Sequence, residues 1–354
     1  MKISVLQFLV LSLCIIPGIL GMPVAGGTGT QINRLTNETQ KHHKHSPAAV
    51  VHRCLKRSEQ LSNNRLTIVR SVTLHEFLIA VQNDDSDYVS KTIRRVGFFD
   101  LMILGVIQFI LLDKPCNQDN IVLDIGANVG FFGMSAWSLG CKVIFAEPQS
   151  ALRAALNASL CLNRISVHHA YIISQPISDD LKVRFPVSSN HKRGDTGSIG
   201  IHDCSGKRAQ CVDVDAYQLD NLLVSSPITF KRFALIKIDV EGYEPGVILS
   251  AARIIKDRLA DNILMELTVS VEGISRNAQM LQTLFTSGYS FAIIPQVLEH
   301  EVQNISFPYN KITLVIIKSA TEVEDFVKNQ TAYQLDIWAS LNSANFERYN
   351  SHAR

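Results

Sequence analysis

The stretch IVLDIGANVGFFG, residues 121–133, decides how this sequence is interpreted. A strand-like run leads directly into a glycine-containing turn, and a helix-like run follows. The dinucleotide-binding fingerprint G-x-G-x-x-G, counted from Gly126, requires glycine at positions 128 and 131. Those positions hold Asn128 and Phe131 instead. The turn therefore has the position of a nucleotide-binding turn but lacks the pattern that accommodates a pyrophosphate.

The strand pattern around this stretch predicts an α/β fold. Seven apolar runs have the length of strands, and they cover residues 121–126, 141–148, 165–173, 233–239, 262–267, 289–294 and 312–318. Helix-like segments alternate with the first five runs, which is typical of a doubly wound, mostly parallel sheet. No helix-like segment separates the last two runs, so they are expected to form a terminal antiparallel hairpin. We therefore predict a seven-stranded, Rossmann-like sheet.

Another apolar segment, residues 96–115, precedes the first strand. A membrane span is conceivable, but the run is short for a bilayer and contains Asp100 and Gln108. A helix packed on the sheet, ending before Pro115, is the preferred prediction.

Two acidic residues indicate the ligand. In a doubly wound sheet, ligands bind at the carboxyl ends of the strands. Asp124 lies at the end of the first strand, where it would repel a pyrophosphate but suit a cationic ligand. Glu147 ends the second strand, where an acid commonly binds a ribose diol. S-adenosylmethionine has a ribose and positive charge but no pyrophosphate. The alternatives are NAD, or acids that only cap a helix and end a strand.

A second motif, LIKIDVEGYEP at residues 235–245, follows the fourth strand. In an extended strand Lys237, Asp239 and Glu241 alternate onto one side, so the two acids should leave the strand end together. They could orient a hydroxyl, take its proton or hold a divalent metal, although we assign no metal ligands. Alternatively, the acidic turn only shapes the helix entry. Glu266 could line the same cleft or be a structural acid at a strand end.

At these residues the sequence resembles the FkbM-type family of S-adenosylmethionine-dependent methyltransferases. The motifs VLDIGANVG, FAEPQ, LDNLL, IKIDVEGYE and ILMEL occur in that order, and the resemblance covers about residues 95–320. It implies a class I methyltransferase fold with strand order 3-2-1-4-5-7-6, and O-methylation of sugars or sugar-like hydroxyls.

When the functional positions of the family motifs are transferred to the matching residues of this sequence, the resemblance implies which residues form the site. The cofactor site comprises Asp124, Gly126, Asn128, Gly130 and Glu147. Asp239 and Glu241 lie at the rim of the active site as the catalytic residues.

The N-terminal residues indicate the secretory pathway. Residues 1–25 are predicted to be a cleaved signal peptide or a type II membrane anchor. Residues 26–65 are polar and predict a flexible luminal stem. The methyltransferase domain is expected over residues 66–320, with a helical N-terminal part over residues 66–113. Residues 321–354 are expected to form a polar, partly helical tail.

The cysteines agree with an oxidising compartment, because six remain after Cys14 of the leader. Cys204 and Cys211 flank a Ser-Gly turn and are the pair we predict to form a disulfide; six free thiols are the alternative. Four N-glycosylation sequons, at Asn37, Asn157, Asn304 and Asn329, also suit a luminal glycoprotein.

The charge balance indicates which partners to expect. The chain has 34 basic and 32 acidic residues and a net charge of +2, without a basic patch, so no nucleic-acid partner is expected. A glycan or small-molecule hydroxyl is the expected acceptor, in the Golgi lumen or outside the cell. The cofactor must be imported into that compartment, so a non-catalytic secreted binding module is an alternative. A cytosolic methyltransferase, whose leader does not target it, is a third.

Overall fold

The structure, a computed structural model, describes residues 47–62, 65–85, 87–186, 211–268, 274–295, 313–317, 319, 322 and 334–352. Its strands are β1 (Leu66–Arg70), β2 (Leu78–Gln82), β3 (Asn120–Ile125), β4 (Val143–Ala146), β5 (Ala170–Ile173), β6 (Lys182–Pro186), β7 (Cys211–Asp215), β8 (Arg232–Ile238), β9 (Asn262–Thr268), β10 (Ser290–Ile294), β11 (Val315–Ile317) and β12 (Gln334–Ser340). Its α-helices are α1 (Pro47–Ser62), α2 (Tyr88–Val96), α3 (Leu101–Asp113), α4 (Phe131–Ser138), α5 (Ser150–Leu162), α6 (Leu222–Ser225), α7 (Glu244–Leu249), α8 (Ala252–Lys256), α9 (Ile274–Thr286) and α10 (Ala344–His352).

Eight strands form the central sheet in the order β11-β10-β12-β9-β8-β3-β4-β5. The five strands from β9 to β5 are mutually parallel, whereas β12 is antiparallel to both of its neighbours. One apolar cluster joins α3, α4 and α5 to one face, and a second joins α7, α8 and α9 to the other. The predicted doubly wound α/β fold is confirmed. Strands β3, β4, β5, β8, β9, β10 and β12 give the predicted order 3-2-1-4-5-7-6, and β11 adds an eighth strand at the edge.

The seventh strand of that order is β12, which we had placed in the polar tail. The predicted hairpin of β10 and β11 exists and is antiparallel, but β12 lies between β10 and β9. Ile337 and Ala339 face one apolar cluster and Trp338 the other, and all three are buried. The tail prediction is therefore wrong for β12, whose two faces are both covered.

The prediction of a helical N-terminal part over residues 66–113 is wrong for its first residues. It begins with an antiparallel hairpin of β1 and β2, and α2 and α3 follow. The hairpin is fixed to α5, because Ser159 Oγ accepts a hydrogen bond from the Ala80 N–H at 2.9 Å. The Leu78 N–H donates to Asn163 Oδ1 at 3.0 Å, and Asn163 Nδ2 donates to the Leu78 carbonyl at 2.6 Å. Side chains at the C-terminal end of α5, including its cap Asn163, thus satisfy backbone groups of β2.

Part of the predicted flexible stem is helical instead. Helix α1 presents Val50, Val51, Cys54 and Leu55 to the core, at a spacing that puts them on one face. A disulfide joins Cys54 to Cys161 of α5. The stem prediction is wrong for this helix, because its apolar face and its disulfide attach it to the domain. Residues 1–46, with the predicted leader, lie outside the described residues.

Helix α3 is a core helix, as predicted for the apolar run. Its residues from Leu101 to Leu111 are buried. Asp100 caps its N-terminus by accepting hydrogen bonds from the Met102 and Ile103 N–H groups, both at 3.1 Å. Among the described residues no single helix is long and apolar enough to cross a membrane; α2 and α3 together pass that test but bend by 74° between them.

Two disulfides use four of the six cysteines. Besides Cys54–Cys161, the structure joins Cys116 to Cys141, which connects the segment before β3 to the segment before β4. Cys204 lies outside the described residues, so the Cys204–Cys211 pair stays a prediction.

Because they close loops of different length, the two disulfides should contribute unequally to stability. Cys54 and Cys161 are 107 residues apart, and Cys116 and Cys141 are 25 apart. On the chain-entropy account, the double alanine variant of the first pair should lose about 1 kcal/mol more free energy of unfolding than that of the second. Urea unfolding of both variants measures the difference. Equal losses would contradict the prediction.

Candidate functional site

The turn after β3 depends on left-handed backbone at three positions. Gly126, Asn128 and Gly130 have φ values of 72°, 52° and 88°. A Cβ atom at Gly126 would lie 1.7 Å from the carbonyl oxygen of Asp239, so no other residue fits there. Asn128 accommodates its conformation by accepting a hydrogen bond from the Val129 N–H at Oδ1, at 2.7 Å. The turn therefore holds the ends of β3 and β8 against each other.

Asp124, on β3 beside this turn, is fully buried. Its Oδ2 accepts a hydrogen bond from the Gly133 N–H at 2.8 Å, which ties the strand to α4. Its Oδ1 is also buried and has no hydrogen-bond partner within the described part of the chain. Burial raises the pKa of this carboxyl above its usual range. An orphaned carboxylate oxygen at this position suits a cationic ligand group.

Glu147 follows β4 and lies against the same turn. Its Oε2 accepts a hydrogen bond from the Asn128 N–H at 2.9 Å, and its Oε1 accepts one from the Gln149 N–H at 2.8 Å. Burial raises its pKa to about 7. The structure brings Asp124 and Glu147 to one edge of the sheet, as predicted. Glu147 also binds two turns together, and each of its oxygens retains a lone pair for a ligand hydroxyl.

Lys237 and Asp239 form an ion pair at the end of β8. The Nζ atom of Lys237 lies 2.9 Å from Asp239 Oδ2 and 4.9 Å from the centre of the Phe132 ring. Burial opposes the charge of the lysine, but Asp239 and Asp124 more than offset this and hold its pKa above the usual range. Lys237 therefore carries a positive charge beneath the site.

Glu241 is placed in the site by a turn, not by the end of an extended strand as the sequence predicted. Strand β8 ends at Ile238, and Glu241 has a left-handed φ of 56°, so the alternation of an extended strand does not apply to it. Its carboxylate nevertheless approaches those of Asp239 and Glu266, with one oxygen of each within 4.8 Å of the others. We call Asp239, Glu241 and Glu266 the carboxylate cluster.

The carboxylate cluster can hold either a proton or a cation. Burial, followed by repulsion from Asp239 and Glu241, raises the pKa of Glu266 to about 10. Three carboxylate oxygens at this spacing also match the ligands that Mg²⁺ and Ca²⁺ prefer. Chemically, the cluster can accept hydrogen bonds from a hydroxyl and take its proton.

Glu244, the first residue of α7, shapes the turn that carries Glu241. Its Oε1 accepts hydrogen bonds from the N–H groups of Val240 and Gly242, both at 3.1 Å. Its Oε2 is buried without a hydrogen-bond partner among the described residues. Burial raises the pKa of Glu244 to about 8.

Asp100 is a residue of the site that sequence reasoning missed. Burial raises its pKa, and the charges of Asp239 and Lys237 also act on it. Its φ of 38° is left-handed, as for Asn128 and Glu241. The sequence did contain a signal for it, because an aspartate directly before an apolar helix is typical of an N-cap. The sequence analysis considered Asp100 only as a polar residue within an apolar run.

The raised pKa of Glu244 predicts a pH-dependent effect of Glu244→Gln. The carboxyl ionises near pH 4.5 in the unfolded chain but near pH 8 in the folded protein, so the wild type loses stability as pH rises between these values. Glutamine keeps an oxygen for the two N–H groups and has no charge to bury. Relative to wild type, the variant should gain about 1.4 kcal/mol per pH unit across this window, and the gain should level off above pH 8. Urea unfolding at several pH values measures it; a pH-independent difference would contradict the assignment.

Solved structures similar to this chain include several methyltransferases. Precorrin-6y C5,15-methyltransferase from Geobacter metallireducens is 12% identical, with a TM-score of 0.35 and coverage of 74% of this chain and 97% of that one. The T. thermophilus 16S rRNA N2 G1207 methyltransferase is 11% identical, with a TM-score of 0.37 and coverage of 78% and 51%. Human methyltransferase 10 domain containing protein is 11% identical, with a TM-score of 0.35 and coverage of 86% and 100%. TM-scores this low do not support an assignment of function, so these structures carry no part of the argument.

Sequence comparison identifies the family. No curated protein matches the chain by sequence. Residues 124–291 match the family described as the methyltransferase FkbM domain. The match begins at Asp124 and includes the turn after β3, Glu147 and the carboxylate cluster. Residues 124–291 therefore belong to the FkbM-type family of S-adenosylmethionine-dependent methyltransferases, as the sequence motifs predicted.

Proposed function

We propose that this methyltransferase transfers a methyl group to a hydroxyl of a neutral glycan in the secretory pathway. The observation that supports this most is the position of the carboxylate cluster beside the glycine turn. Carboxylates accept hydrogen bonds from hydroxyl groups and repel phosphate, sulfate and nucleic acid. An uncharged, polyhydroxylated acceptor therefore suits the cleft best.

The residues around the turn fit S-adenosylmethionine. The orphaned Oδ1 of Asp124 suits the positive charge of the ligand, and the remaining lone pairs of Glu147 suit its ribose hydroxyls. Asn128 places a side chain and a left-handed backbone where a pyrophosphate would need bare main chain. When bound, the cofactor supplies an electrophilic methyl group.

On this proposal Asp239 is the group that takes the proton of the acceptor hydroxyl. Methyl transfer forms a carbon–oxygen bond and breaks a carbon–sulfur bond, and the hydroxyl proton moves to a carboxylate oxygen. Lys237 fixes the orientation of Asp239 through the 2.9 Å contact, which leaves the other carboxylate oxygen for the acceptor. Glu241 orients the acceptor by accepting a hydrogen bond from a neighbouring hydroxyl, and Glu266, which is protonated at neutral pH, donates one to an acceptor oxygen. Positioning of this kind supplies much of the rate of an in-line displacement.

Two matched variants separate cofactor binding from turnover. Asp124→Asn keeps an acceptor for the Gly133 N–H but removes the charge, so we expect the Kd for S-adenosylmethionine to rise at least tenfold. Asp239→Asn leaves the cofactor turn intact, so we expect its Kd to stay within about threefold while kcat falls by about 10²-fold or more. Calorimetry measures the first effect, and transfer of a labelled methyl group to a panel of neutral glycans measures the second.

Other outcomes of that assay would change the proposal. Cofactor binding without transfer to any hydroxyl-bearing acceptor would favour a non-catalytic binding module. Activity that disappears with EDTA and returns with Mg²⁺ would assign the carboxylate cluster to a cation instead of a proton.

Location in the secretory pathway is supported by the N-terminal leader and the two disulfides. Structural disulfides persist in oxidising compartments and are rare in the cytosol. Cys54 and Cys141 are almost fully buried, as expected of structural bridges. Asn157 of α5 is exposed, so a glycan attached to its side chain would project into solvent.

The secretory location predicts that the protein carries N-linked glycans. When the full chain is expressed in animal cells, an endoglycosidase that removes N-glycans should reduce its apparent mass. The variant with glutamine in all four sequons should migrate like the treated protein, with or without enzyme. An untreated wild type that already migrates at the mass of the unmodified chain would contradict a luminal location.

A further inference from the structure

We propose that Asn157 is an N-glycosylation site that is open only before α5 packs against β2, so that its glycan is attached before this part of the domain folds. This inference rests on the secretory location in the proposed function and extends it, because it states when one of the four sequons can be used. The reaction joins Nδ2 of Asn157 to C1 of an oligosaccharide and breaks the bond between C1 and a lipid diphosphate. The lipid diphosphate leaves, and the amide nitrogen loses one proton.

This sequon lies wholly within a helix, whereas a glycosylation acceptor typically lies in a surface loop. Asn157, Ala158 and Ser159 all belong to α5, which continues to Leu162. The transferring enzyme must bind the asparagine and the hydroxyl residue together, since both define the sequon. Successive residues of an α-helix are rotated by about 100°, so side chains two positions apart point in nearly opposite directions. The helix therefore separates the two side chains that the enzyme must bind at once.

The hydroxyl residue of this sequon is buried and already hydrogen-bonded. Ser159 is 0% exposed. Its Oγ accepts a hydrogen bond from the Ala80 N–H of β2 at 2.9 Å and donates one to the Ala155 carbonyl at 3.1 Å. Asn157, by contrast, is exposed. In the folded protein the asparagine therefore faces water, but the hydroxyl that must be bound with it faces β2.

Release of the Ser159 hydroxyl requires α5 to leave β2, and several contacts oppose this. Asn163, the C-cap residue of α5, exchanges two hydrogen bonds with the backbone of Leu78. Cys161 is joined to Cys54 of α1 by a disulfide. Local opening that exposes the sequon must break the hydrogen bonds and strain the covalent link, so it is rare in the folded protein. Packing of α5 thus closes the sequon.

A glycan that is attached earlier is compatible with the fold. Nδ2 of Asn157 donates a hydrogen bond to the Arg153 carbonyl at 2.9 Å. An amide nitrogen carries two hydrogens and glycosylation replaces one, so the other can still donate to this carbonyl. The exposed position of Asn157 directs the glycan into solvent. A glycan added before packing is therefore retained, whereas addition after packing is blocked.

The order of elements along the chain makes the open period short. Helix α1 and strand β2 both precede α5, so the partners of α5 have already been synthesised when Asn157 follows them. The N-terminal parts of a chain fold first during synthesis. Attachment of the glycan therefore competes directly with the packing of α5.

A transfer assay on the unmodified full chain tests this order of events. Wild type is purified from animal cells treated with an inhibitor of lipid-linked oligosaccharide synthesis, so that its sequons carry no glycan. The native protein, and the same protein after reduction, alkylation and unfolding, are each incubated with an oligosaccharyltransferase and its lipid-linked donor. Mass spectrometry of the peptide that contains Asn157 measures the rate of attachment, and a short sequon peptide in each reaction reports the activity of the enzyme.

We expect attachment at Asn157 to be at least about tenfold faster in the unfolded chain, because the native sequon must first open. Equal rates for native and unfolded protein would overturn the inference. So would the absence of attachment at Asn157 in both states while the sequon peptide is modified.

The two disulfides provide matched variants for the native-state assay. Cys54→Ala with Cys161→Ala removes the disulfide that holds α5. Cys116→Ala with Cys141→Ala removes the disulfide that does not involve α5. The first double variant should be modified at Asn157 at least about threefold faster than wild type, and the second within about twofold of it. Equal rates in the two variants would show that the sequon is exposed by opening of the whole domain and not by release of α5, which would overturn the inference.

Glycans on protein from untreated cells separate this inference from the proposed function. Wild type without a glycan at any of its four sequons would contradict the proposed secretory location, but it would leave the comparison of native and unfolded protein unaffected. Attachment to native Asn157 as fast as to the unfolded chain would overturn this inference alone.

Discussion

The close approach of β3 and β8 at their carboxyl ends is the constraint on which the site depends. Gly126 allows it, because its missing side chain leaves room for the carbonyl group of Asp239. The Asp239 N–H in turn donates a hydrogen bond to the Ile125 carbonyl at 3.0 Å. This contact sets the distance between Asp124 and Asp239, which we propose to serve the cofactor and the acceptor. A methyl group can pass between two ligands only if their sites are adjacent, so a main-chain contact determines the chemistry that the side chains can perform.

The acids gathered at the carboxyl ends of the strands repel one another and lose hydration on burial. The ammonium group of Lys237 offsets part of this unfavourable free energy. Asp100, Asp124 and Asp239 all interact with its ammonium group. Glu147 and Glu244 lower the cost differently, by accepting hydrogen bonds from backbone N–H groups. The raised pKa values of Glu244 and Glu266 show that compensation is incomplete in the free protein. A cationic cofactor adds positive charge to such a site, so the charge distribution favours binding of the ligand that the family uses.

The parts of the site that follow a strand-to-turn motif could be predicted from sequence, and those that depend on tertiary contacts could not. Asp124, Glu147 and Asp239 lie at or just after strand ends, where topology alone brings them together. The alternation rule fails for Glu241, because the strand ends before it and the backbone turns left-handed. Strand β12 was missed because its polar residues, such as Asp336, obscure a segment that is covered on both faces. The Cys54–Cys161 pair could not be predicted, since nothing in the sequence relates residues 107 apart.

Elements that precede the matched region are attached to the helix that follows the Glu147 turn. Helix α1 attaches to α5 through the Cys54–Cys161 disulfide, and β2 attaches to it through the hydrogen bonds of Ser159 and Asn163. Helix α2 attaches to the hairpin, because the Gln82 N–H donates to Ser90 Oγ. Through the hairpin these attachments also hold the segment before α3, because the Val72 N–H donates to the Gly97 carbonyl. Because α5 follows directly from the turn of Glu147, that turn and the N-terminal elements share one support. The N-terminal segment therefore helps to hold the helix that follows the Glu147 turn, although it lies outside the residues that match the family.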